Sequence, residues 1–175
     1  MKALALVCIA ILFNVGSTYA DPVKTVSYVD PAQYVGNWYQ IARRPLSFEN
    51  GCVCSLQKLT AQADGSLYVY NTCNDQTPQG RIRSVEGTAT NDDPTTNAKW
   101  TVDFGLGRKG GYWIVALDPQ YRWAVVSDPW KFSLYVLSKT PELDPALYQA
   151  AVAEAATQFD TSVLRMTLQA GCTYP

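Results

Sequence analysis

The cysteines are the side chains with the clearest chemical potential, because the 175 residues include five cysteines and no histidine. Without histidine the chain cannot build a Ser-His-Asp triad, a Cys-His nucleophile, a histidine zinc site or a histidine proton shuttle. The carboxylates add little, since Asn91-Asp92-Asp93 is typical of a turn and lacks the ligand spacing of a calcium loop. The residue types therefore favour binding over catalysis.

The overall charge is close to neutral, with 14 basic and 15 acidic side chains and a formal net charge of -1. No basic patch dominates, so nucleic-acid binding through phosphate neutralisation is not expected. The length indicates one domain, large enough to bury a core.

The first twenty residues have the pattern of a secretory signal peptide. Met1 and Lys2 precede an apolar run over 3–13, and small residues precede Asp21. The run is shorter than the about 20 apolar residues that span a bilayer. A buried N-terminal helix is the alternative, and acylation at Cys8 is disfavoured by bulky Val7. We expect a signal peptide at 1–20 and an exported domain at 21–175, in the periplasm or the extracellular medium.

Removal of that segment leaves four cysteines, Cys52, Cys54, Cys73 and Cys172. An even number in an exported domain indicates two disulfides. A four-thiolate zinc site usually needs two close pairs of cysteines, and only the first two lie close together. We expect no metal and no cofactor, and the spacing alone leaves three disulfide pairings open.

Segments that alternate apolar and polar residues, separated by turn residues, predict eight strands. Ala63-Asp64-Gly65-Ser66 is a strong hairpin signal between the second and third. The predicted strands are 35–43, 52–60, 67–73, 81–90, 99–104, 112–117, 122–126 and 134–138. A further alternating run covers 163–169.

One segment has helical periodicity instead. Asp144 is a good N-cap, Pro145 suits the first turn, and the chain from there to Gln158 is rich in alanine. An apolar stripe predicts packing against the sheet, while the absence of lysine and arginine disfavours binding to an anionic membrane. The stripe consists of Leu147, Ala151, Ala155 and Phe159.

These elements predict an all-β fold, an eight-stranded antiparallel up-and-down barrel with one C-terminal helix on its wall. Closing the meander removes its exposed edges. A barrel of eight strands either fills with side chains or holds one small ligand. A lipocalin-type calyx fits the chain length, with streptavidin-type barrels as the structural alternative.

The first strand reads Gly36-Asn37-Trp38-Tyr39-Gln40-Ile41-Ala42-Arg43 and resembles the extended Gly-x-Trp signature of lipocalins. Residues 110–126 resemble the second family motif and residues 134–141 the third. The similarity is greatest to the branch of bacterial lipocalins and apolipoprotein D, which also carries residues like Phe48-Glu49-Asn50-Gly51 after the first strand.

The resemblance assigns structural roles to Gly36, Trp38 and Lys139. Gly36 permits a tight approach where the chain enters the barrel, and Trp38 would plug the closed end. The third motif normally supplies an arginine over this tryptophan, and here the position is Lys139. Lysine keeps the charge and a stem that packs on Trp38, but it lacks the planar fork of arginine.

The resemblance implies that the protein is not an enzyme and binds, transports or stores a small hydrophobic ligand, such as a fatty acid, lysophospholipid, sterol or pigment.

Alternation from Trp38 puts Gln40 and Ala42 inside, and Tyr135 and Leu137 share the face of Lys139. Tyr135 is the main expected ligand contact. Further candidates are Tyr68, Tyr70 and Trp113, whose faces the sequence leaves open. Candidates for a lipid head group are Arg43, Arg81 and Arg83, although exposed arginines usually only solvate a surface.

The family also implies a disulfide from a cysteine after the Phe-Glu-Asn-Gly stretch to the C-terminal tail. Either Cys52 or Cys54 would then pair with Cys172, and the other with Cys73. The hairpin at Asp64-Gly65 places Cys54 two positions from Cys73, so we predict Cys54–Cys73 and Cys52–Cys172.

Two other functions stay open at this point. The first is a protein-interaction or inhibitor module that uses the open-end loops, above all the glycine-rich stretch 104–111. The second is a lipid-modifying enzyme of lipocalin fold, which would need a free cysteine or an acidic residue in the pocket. Peripheral membrane association and the oligomeric state are also open.

Overall fold

Eight antiparallel strands follow one another around a closed barrel in the computed structural model, which describes residues 22–175. The predicted signal peptide at 1–20 lies outside the described residues. The strands are β1 Gly36–Arg43, β2 Cys52–Ala61, β3 Leu67–Asp75, β4 Ile82–Asn91, β5 Lys99–Asp103, β6 Lys109–Leu117, β7 Trp123–Ser127 and β8 Leu134–Ser138. A two-residue strand, β9 Arg165–Met166, pairs with β1 outside this order.

The barrel closes because β1 pairs with both of its neighbours. Gly36 lies opposite Leu59 of β2, and Tyr39 lies opposite Ser138 of β8. Every other strand pairs with the next one along the chain. The predicted up-and-down architecture and all eight strands are confirmed, with boundaries that differ by a few residues at most.

Two apolar clusters lie on opposite sides of the barrel wall. The inner cluster is built on Trp38, Val69 and Ile114, all at most 2% exposed, and fills the closed end. The outer cluster joins residues such as Val125 and Val136 to the helix. Strand alternation produces this division, because successive side chains point to opposite faces of the sheet.

The predicted helix is α2, Pro145–Ala156. Three other short helical elements are α1, Pro31–Tyr34, and 3₁₀ turns at Ser47–Glu49 and Thr161–Val163. The Asp144 carboxylate caps α2 by accepting hydrogen bonds from the amides of Ala146 and Leu147, at 2.8 and 3.3 Å. Ala151 and Ala155 are buried against the outer side of β6, β7 and β8. The predicted packing of the helix on the barrel is confirmed.

The disulfides are Cys52–Cys73 and Cys54–Cys172, so the predicted pairing is wrong. The reason is a β-bulge in β2, where the register with β3 shifts between Val53 and Leu56. Cys54 sits in the bulge with a positive φ of 54°. Its amide donates to the carbonyl of Leu168 at 2.8 Å, which orients Cys54 towards the C-terminal tail.

The C-terminal tail hydrogen-bonds to both β1 and β2 beyond the last pair that joins the two strands, Tyr39 and Leu56. The Gln169 side-chain amide donates to the carbonyls of Gln40 and Ser55, at 2.8 and 2.9 Å. Tyr174 packs edge-on against Tyr39, with ring centroids 4.8 Å apart. The Cys54–Cys172 bond therefore anchors a segment that is already hydrogen-bonded to the barrel.

Candidate functional site

The closed end of the barrel is sealed around Trp38, which is fully buried. Its indole Nε1 donates to the carbonyl of Tyr34 at 2.7 Å. The Lys139 ammonium lies 4.2 Å from the centroid of the indole ring and donates to the carbonyls of Tyr34 and Val35, at 3.2 and 2.7 Å. Burial lowers the pKa of Lys139 to about 8. Lys139 thus occupies the position of the family arginine, and it makes a cation–π contact and two charge-assisted hydrogen bonds there.

Gly36 lies beside this seal, where the chain turns from α1 into β1. Its φ of +102° is outside the range that most residues adopt. The Lys139 ammonium approaches within 3.7 Å of the position that a Cβ would take. That distance is an ordinary van der Waals contact, so the backbone conformation, rather than space, is what requires glycine here.

Above the seal, a cavity of about 840 Å³ opens at the other end of the barrel. This volume lies within the range of small-molecule sites, roughly 300–1,000 Å³. Its wall is a mixture of apolar and polar side chains contributed by strands and by the open-end loops. Among them are Trp38, Gln40, Phe48, Glu49, Gln57, Asn71, Val85, Phe104, Val126, Phe132, Tyr135 and Leu137.

Three of the expected ligand contacts line this cavity, namely Gln40, Leu137 and Tyr135. Gln40 lies opposite Leu137 in the β1–β8 register, so the two side chains share the inner face. The structure thus brings the first and eighth strands together as the motifs indicated.

Ala42 does not line the cavity, and this part of the expectation is wrong. A register shift separates Gln40 from Ala42, so that Ala42 pairs with Val136 and Arg43 pairs with Tyr135. This bulge reverses the alternation. Ala42 is therefore buried in the outer cluster beside α2, and Arg43 takes the inner face.

Tyr68, Tyr70 and Trp113 also lie outside the cavity, which corrects the expectation for all three. Leu67 and Val69 occupy the inner face of β3 and belong to the inner cluster, so the intervening tyrosines point outwards. Trp113 packs beside the outer cluster, with the Lys99 ammonium 4.9 Å from the centroid of its ring.

A polar group forms where Tyr135 reaches the loop between β1 and β2. The Tyr135 hydroxyl donates to Glu49 Oε1 at 3.1 Å, and Glu49 Oε2 lies 3.0 Å from Arg43 Nε. The latter contact is an ion pair whose N–H is not aligned for a hydrogen bond, so Oε2 has no hydrogen-bond donor among residues 22–175. Burial raises the pKa of the Glu49 carboxyl, and burial also raises the pKa of Tyr135.

A second polar group lies on the opposite wall, deeper in the barrel. Asn71 lies opposite Gln57 on β2 and opposite Val85 on β4. The Gln57 carbonyl oxygen accepts a hydrogen bond from the Tyr112 hydroxyl at 2.8 Å. In contrast, Asn71 Oδ1 is buried and has no hydrogen-bond partner in the described part of the chain. Asn71 therefore presents an unused polar group to the cavity.

The arginines considered for a head group lie at the open end. Arg83 donates to the carbonyls of Asn50 and Phe48, both at 2.9 Å, and Arg43 donates to the carbonyl of Glu49 at 3.1 Å. These two arginines fix the loop between β1 and β2 over the cavity. Arg81 is exposed in the turn between β3 and β4.

Glu49 and Asn71 are the site residues that sequence reasoning missed. Glu49 was part of a recognised family stretch, but its role depends on how the loop folds over Tyr135. Asn71 carried a usable signal, because it shares a face with Leu67 and Val69 at steps of two.

Metal binding and cysteine nucleophilic chemistry receive no support from the described residues. Between positions 22 and 175, no three histidine, cysteine or acidic side chains cluster as metal ligands. The four cysteines of that range are all in disulfides, so none is available as a thiolate nucleophile. No helix within the same range is long and apolar enough to cross a membrane.

A family model described as a lipocalin-like domain matches residues 29–169. The chain belongs to the lipocalin family. This lipocalin is 35% identical to the outer membrane lipoprotein Blc of Escherichia coli strain K12 over 154 residues, which cover 85% of the chain and 84% of Blc. It is 31% identical to apolipoprotein D of Rattus norvegicus over 140 residues, which cover 76% of the chain and 71% of that protein.

A solved structure shows the same fold. Insecticyanin from the tobacco hornworm Manduca sexta superposes on this lipocalin with a TM-score of 0.71 and 22% sequence identity, covering 89% of the chain and 90% of insecticyanin. The family and the branch predicted from the Gly36-x-Trp38 motif and its two companions are confirmed.

Proposed function

We propose that this lipocalin binds and transports or stores a small hydrophobic molecule with a polar end, inside the barrel. The observation that carries the proposal is the cavity of about 840 Å³, sealed by Trp38 at one end and open at the other. A cavity of this kind encloses an apolar ligand and removes it from water.

Apolar enclosure supplies the affinity. Burial of each methylene group contributes about 0.8 kcal/mol, so ten buried methylenes contribute roughly 8 kcal/mol before the cost of association. The apolar wall includes Val85, Val126 and Leu137. Among the classes suggested by the family resemblance, we favour single-chain amphipaths, namely fatty acids and lysophospholipids.

The polar groups supply the preference for a ligand with a polar end. The unpaired Oδ1 of Asn71 accepts a hydrogen bond from a ligand donor, and its amide group can also donate. Near the mouth, Tyr135 and Arg43 offer hydrogen-bond donors once a ligand competes with Glu49. Because buried polar groups without partners are costly, a ligand that satisfies Asn71 gains affinity over a pure hydrocarbon.

We infer binding rather than turnover from the state of the reactive groups. Glu49, Tyr135 and Arg43 engage one another, and the cysteines of the described residues are paired. The two disulfides also support an oxidising compartment, and we propose the periplasm or the extracellular medium as the place of action.

Titration with a long-chain lysophospholipid and with a fatty acid, followed by tryptophan fluorescence, tests the proposal. Trp38 lines the cavity, so a bound chain changes its emission. The variant Val85→Trp places a bulky side chain inside the cavity and is expected to weaken binding about tenfold or more. Thr88→Trp, on the exposed outer face of the same strand, is the matched control and keeps the wild-type affinity.

Asn71→Leu tests the polar contact in the same assay. We expect this variant to weaken binding of the amphipath by about 0.5–1.5 kcal/mol through loss of one hydrogen bond. Saturable binding that is equally strong in Val85→Trp and in wild type would place the ligand elsewhere and overturn the proposal.

A further inference from the structure

Exposed apolar side chains gather around the opening of the barrel. We define the mouth surface as the four open-end segments 44–51, 75–83, 103–111 and 128–133. Five of the nine large hydrophobic side chains that are exposed among residues 22–175 lie on it. They are Phe48, Ile82, Leu106, Trp130 and Phe132, with exposed fractions of 66, 49, 97, 75 and 71%.

Two of these turns hold their apolar residues out at the tip. Leu106 has a positive φ of 53° and lies between Gly105 and Gly107, which both have a φ of 75°. Lys131, between Trp130 and Phe132, also has a positive φ, of 61°. Both turns therefore keep unfavourable backbone conformations while exposing apolar side chains, and such features are typical of interaction sites.

The mouth surface also carries an excess of positive charge. It contains six basic side chains, Arg44, Arg81, Arg83, Arg108, Lys109 and Lys131, and four acidic ones, Glu49, Asp75, Asp103 and Asp128.

Each of these four carboxylates is engaged within the protein. Glu49 pairs with Arg43, Asp75 lies 3.6 Å from Arg83, and Asp103 lies 3.1 Å from Lys109. Asp128 accepts hydrogen bonds from the amides of Trp130 and Ser133, at 2.7 and 2.5 Å. By contrast, no ion pair within residues 22–175 involves Arg81, Arg108 or Lys131.

The closed end of the barrel has the opposite charge. Its segments 30–35, 62–66, 91–98, 118–122 and 139–144 contain seven acidic side chains and two basic ones, Arg122 and Lys139. The acidic side chains are Asp30, Asp64, Asp92, Asp93, Asp118, Glu142 and Asp144. The barrel is therefore electrostatically polar along its axis, so a negative surface attracts the mouth and repels the closed end.

We infer that the mouth surface docks on a lipid bilayer that carries anionic head groups. The basic side chains outside the ion pairs, Arg81, Arg108 and Lys131, meet the head groups. Phe48, Leu106, Trp130 and Phe132 enter the interfacial region, where aromatic and aliphatic side chains are favourable. The apolar residues stand on separate loop tips around an opening rather than on one flat patch, which suits a fluid surface better than a rigid protein. The inference concerns the rim and holds whichever molecule the cavity binds.

Co-sedimentation with vesicles tests this inference, using phosphatidylcholine vesicles and vesicles with an equimolar admixture of phosphatidylglycerol. We expect binding to the anionic vesicles about tenfold stronger than to the neutral ones, decreasing as salt is added. Trp130 provides a second readout, because it is 75% exposed and the other four tryptophans are buried or half-buried. Its emission shifts to the blue on docking, and the shift is absent in Trp130→Phe.

Matched variants separate the mouth from the rest of the surface. Arg108→Glu with Lys131→Glu, and separately Leu106→Ser with Phe132→Ser, are each expected to reduce vesicle binding about tenfold. Lys58→Glu, exposed on the side wall, and Tyr28→Ser, 57% exposed near the closed end, leave it unchanged. Absence of binding to anionic vesicles would overturn the inference and point to a protein partner. Equal loss in the control variants, or a blue shift that persists in Trp130→Phe, would contradict docking through the mouth.

Discussion

Glu49 is an unusual residue for the wall of a ligand cavity, because a largely buried carboxylate loses hydration that its partners only partly replace. Its partners are the Tyr135 hydroxyl at 3.1 Å and Arg43 Nε at 3.0 Å. Burial nevertheless raises the pKa of the carboxyl above its ordinary value of 4.5. The charged form of Glu49 is therefore less favourable in the folded protein than in the unfolded chain.

This difference predicts how stability depends on pH. A carboxyl with a raised pKa binds more protons in the folded state than in the unfolded state, so its contribution to the free energy of unfolding falls as pH rises from about 4.5 through the folded pKa. The variant Glu49→Gln removes that contribution. In urea unfolding experiments, we expect the free energy of unfolding of Glu49→Gln to increase relative to that of wild type as the pH rises across this range.

Glu86→Gln, on the exposed outer face of β4, serves as the control because it removes the same charge without burial. An equal pH dependence of the Glu86→Gln difference would mean that the effect is not specific to the burial of Glu49.

At the scale of the elements, two β-bulges decide which side chains reach the site. The sequence predicts the eight strands and their order from alternation and turn residues, and it predicts the helix from the Asp144 cap and the apolar stripe. The bulge after Gln40 moves Ala42 outside and Arg43 inside, and the bulge at Cys54 reverses the disulfide pairing. Neither bulge has a local sequence signal, because each depends on pairing with distant segments.

The two disulfides are expected to act differently when removed. Cys54–Cys172 closes a loop of 118 residues and Cys52–Cys73 one of 21 residues. Chain entropy predicts that each contributes about 3–5 kcal/mol, with the longer loop contributing more. Paired serine variants, compared by urea unfolding, should therefore show the larger loss for Cys54–Cys172.

For ligand affinity, we expect the opposite order: removal of Cys52–Cys73 has the larger effect. Cys52 and Cys73 line the cavity, whereas Cys54 and Cys172 join the wall to the tail. We expect the Cys52→Ser, Cys73→Ser variant to change affinity more than the Cys54→Ser, Cys172→Ser variant does. The reverse order would mean that the tail, rather than the mouth, controls the cavity.

The whole molecule is a barrel with two chemically different ends. At the closed end, Trp38 and Lys139 form a fixed seal, and the first and third family motifs already identified these two residues. At the open end, loops bring together residues that are distant in sequence, such as Glu49 and Tyr135. The motifs therefore predicted the closed end and the family, while the composition of the mouth became visible only in three dimensions.

The central claim, that the ligand lies inside the barrel, is tested most directly by methyl NMR spectroscopy during a lysophospholipid titration. Neighbouring residues of two strands point to opposite sides of the wall, with Leu137 and Val126 lining the cavity and Val136 and Val125 in the outer cluster. We predict saturable one-to-one shifts of the Leu137 and Val126 methyl signals, with far smaller shifts for Val136 and Val125. Shifts confined to the outer pair, or no saturable shift of the inner pair, would contradict the account.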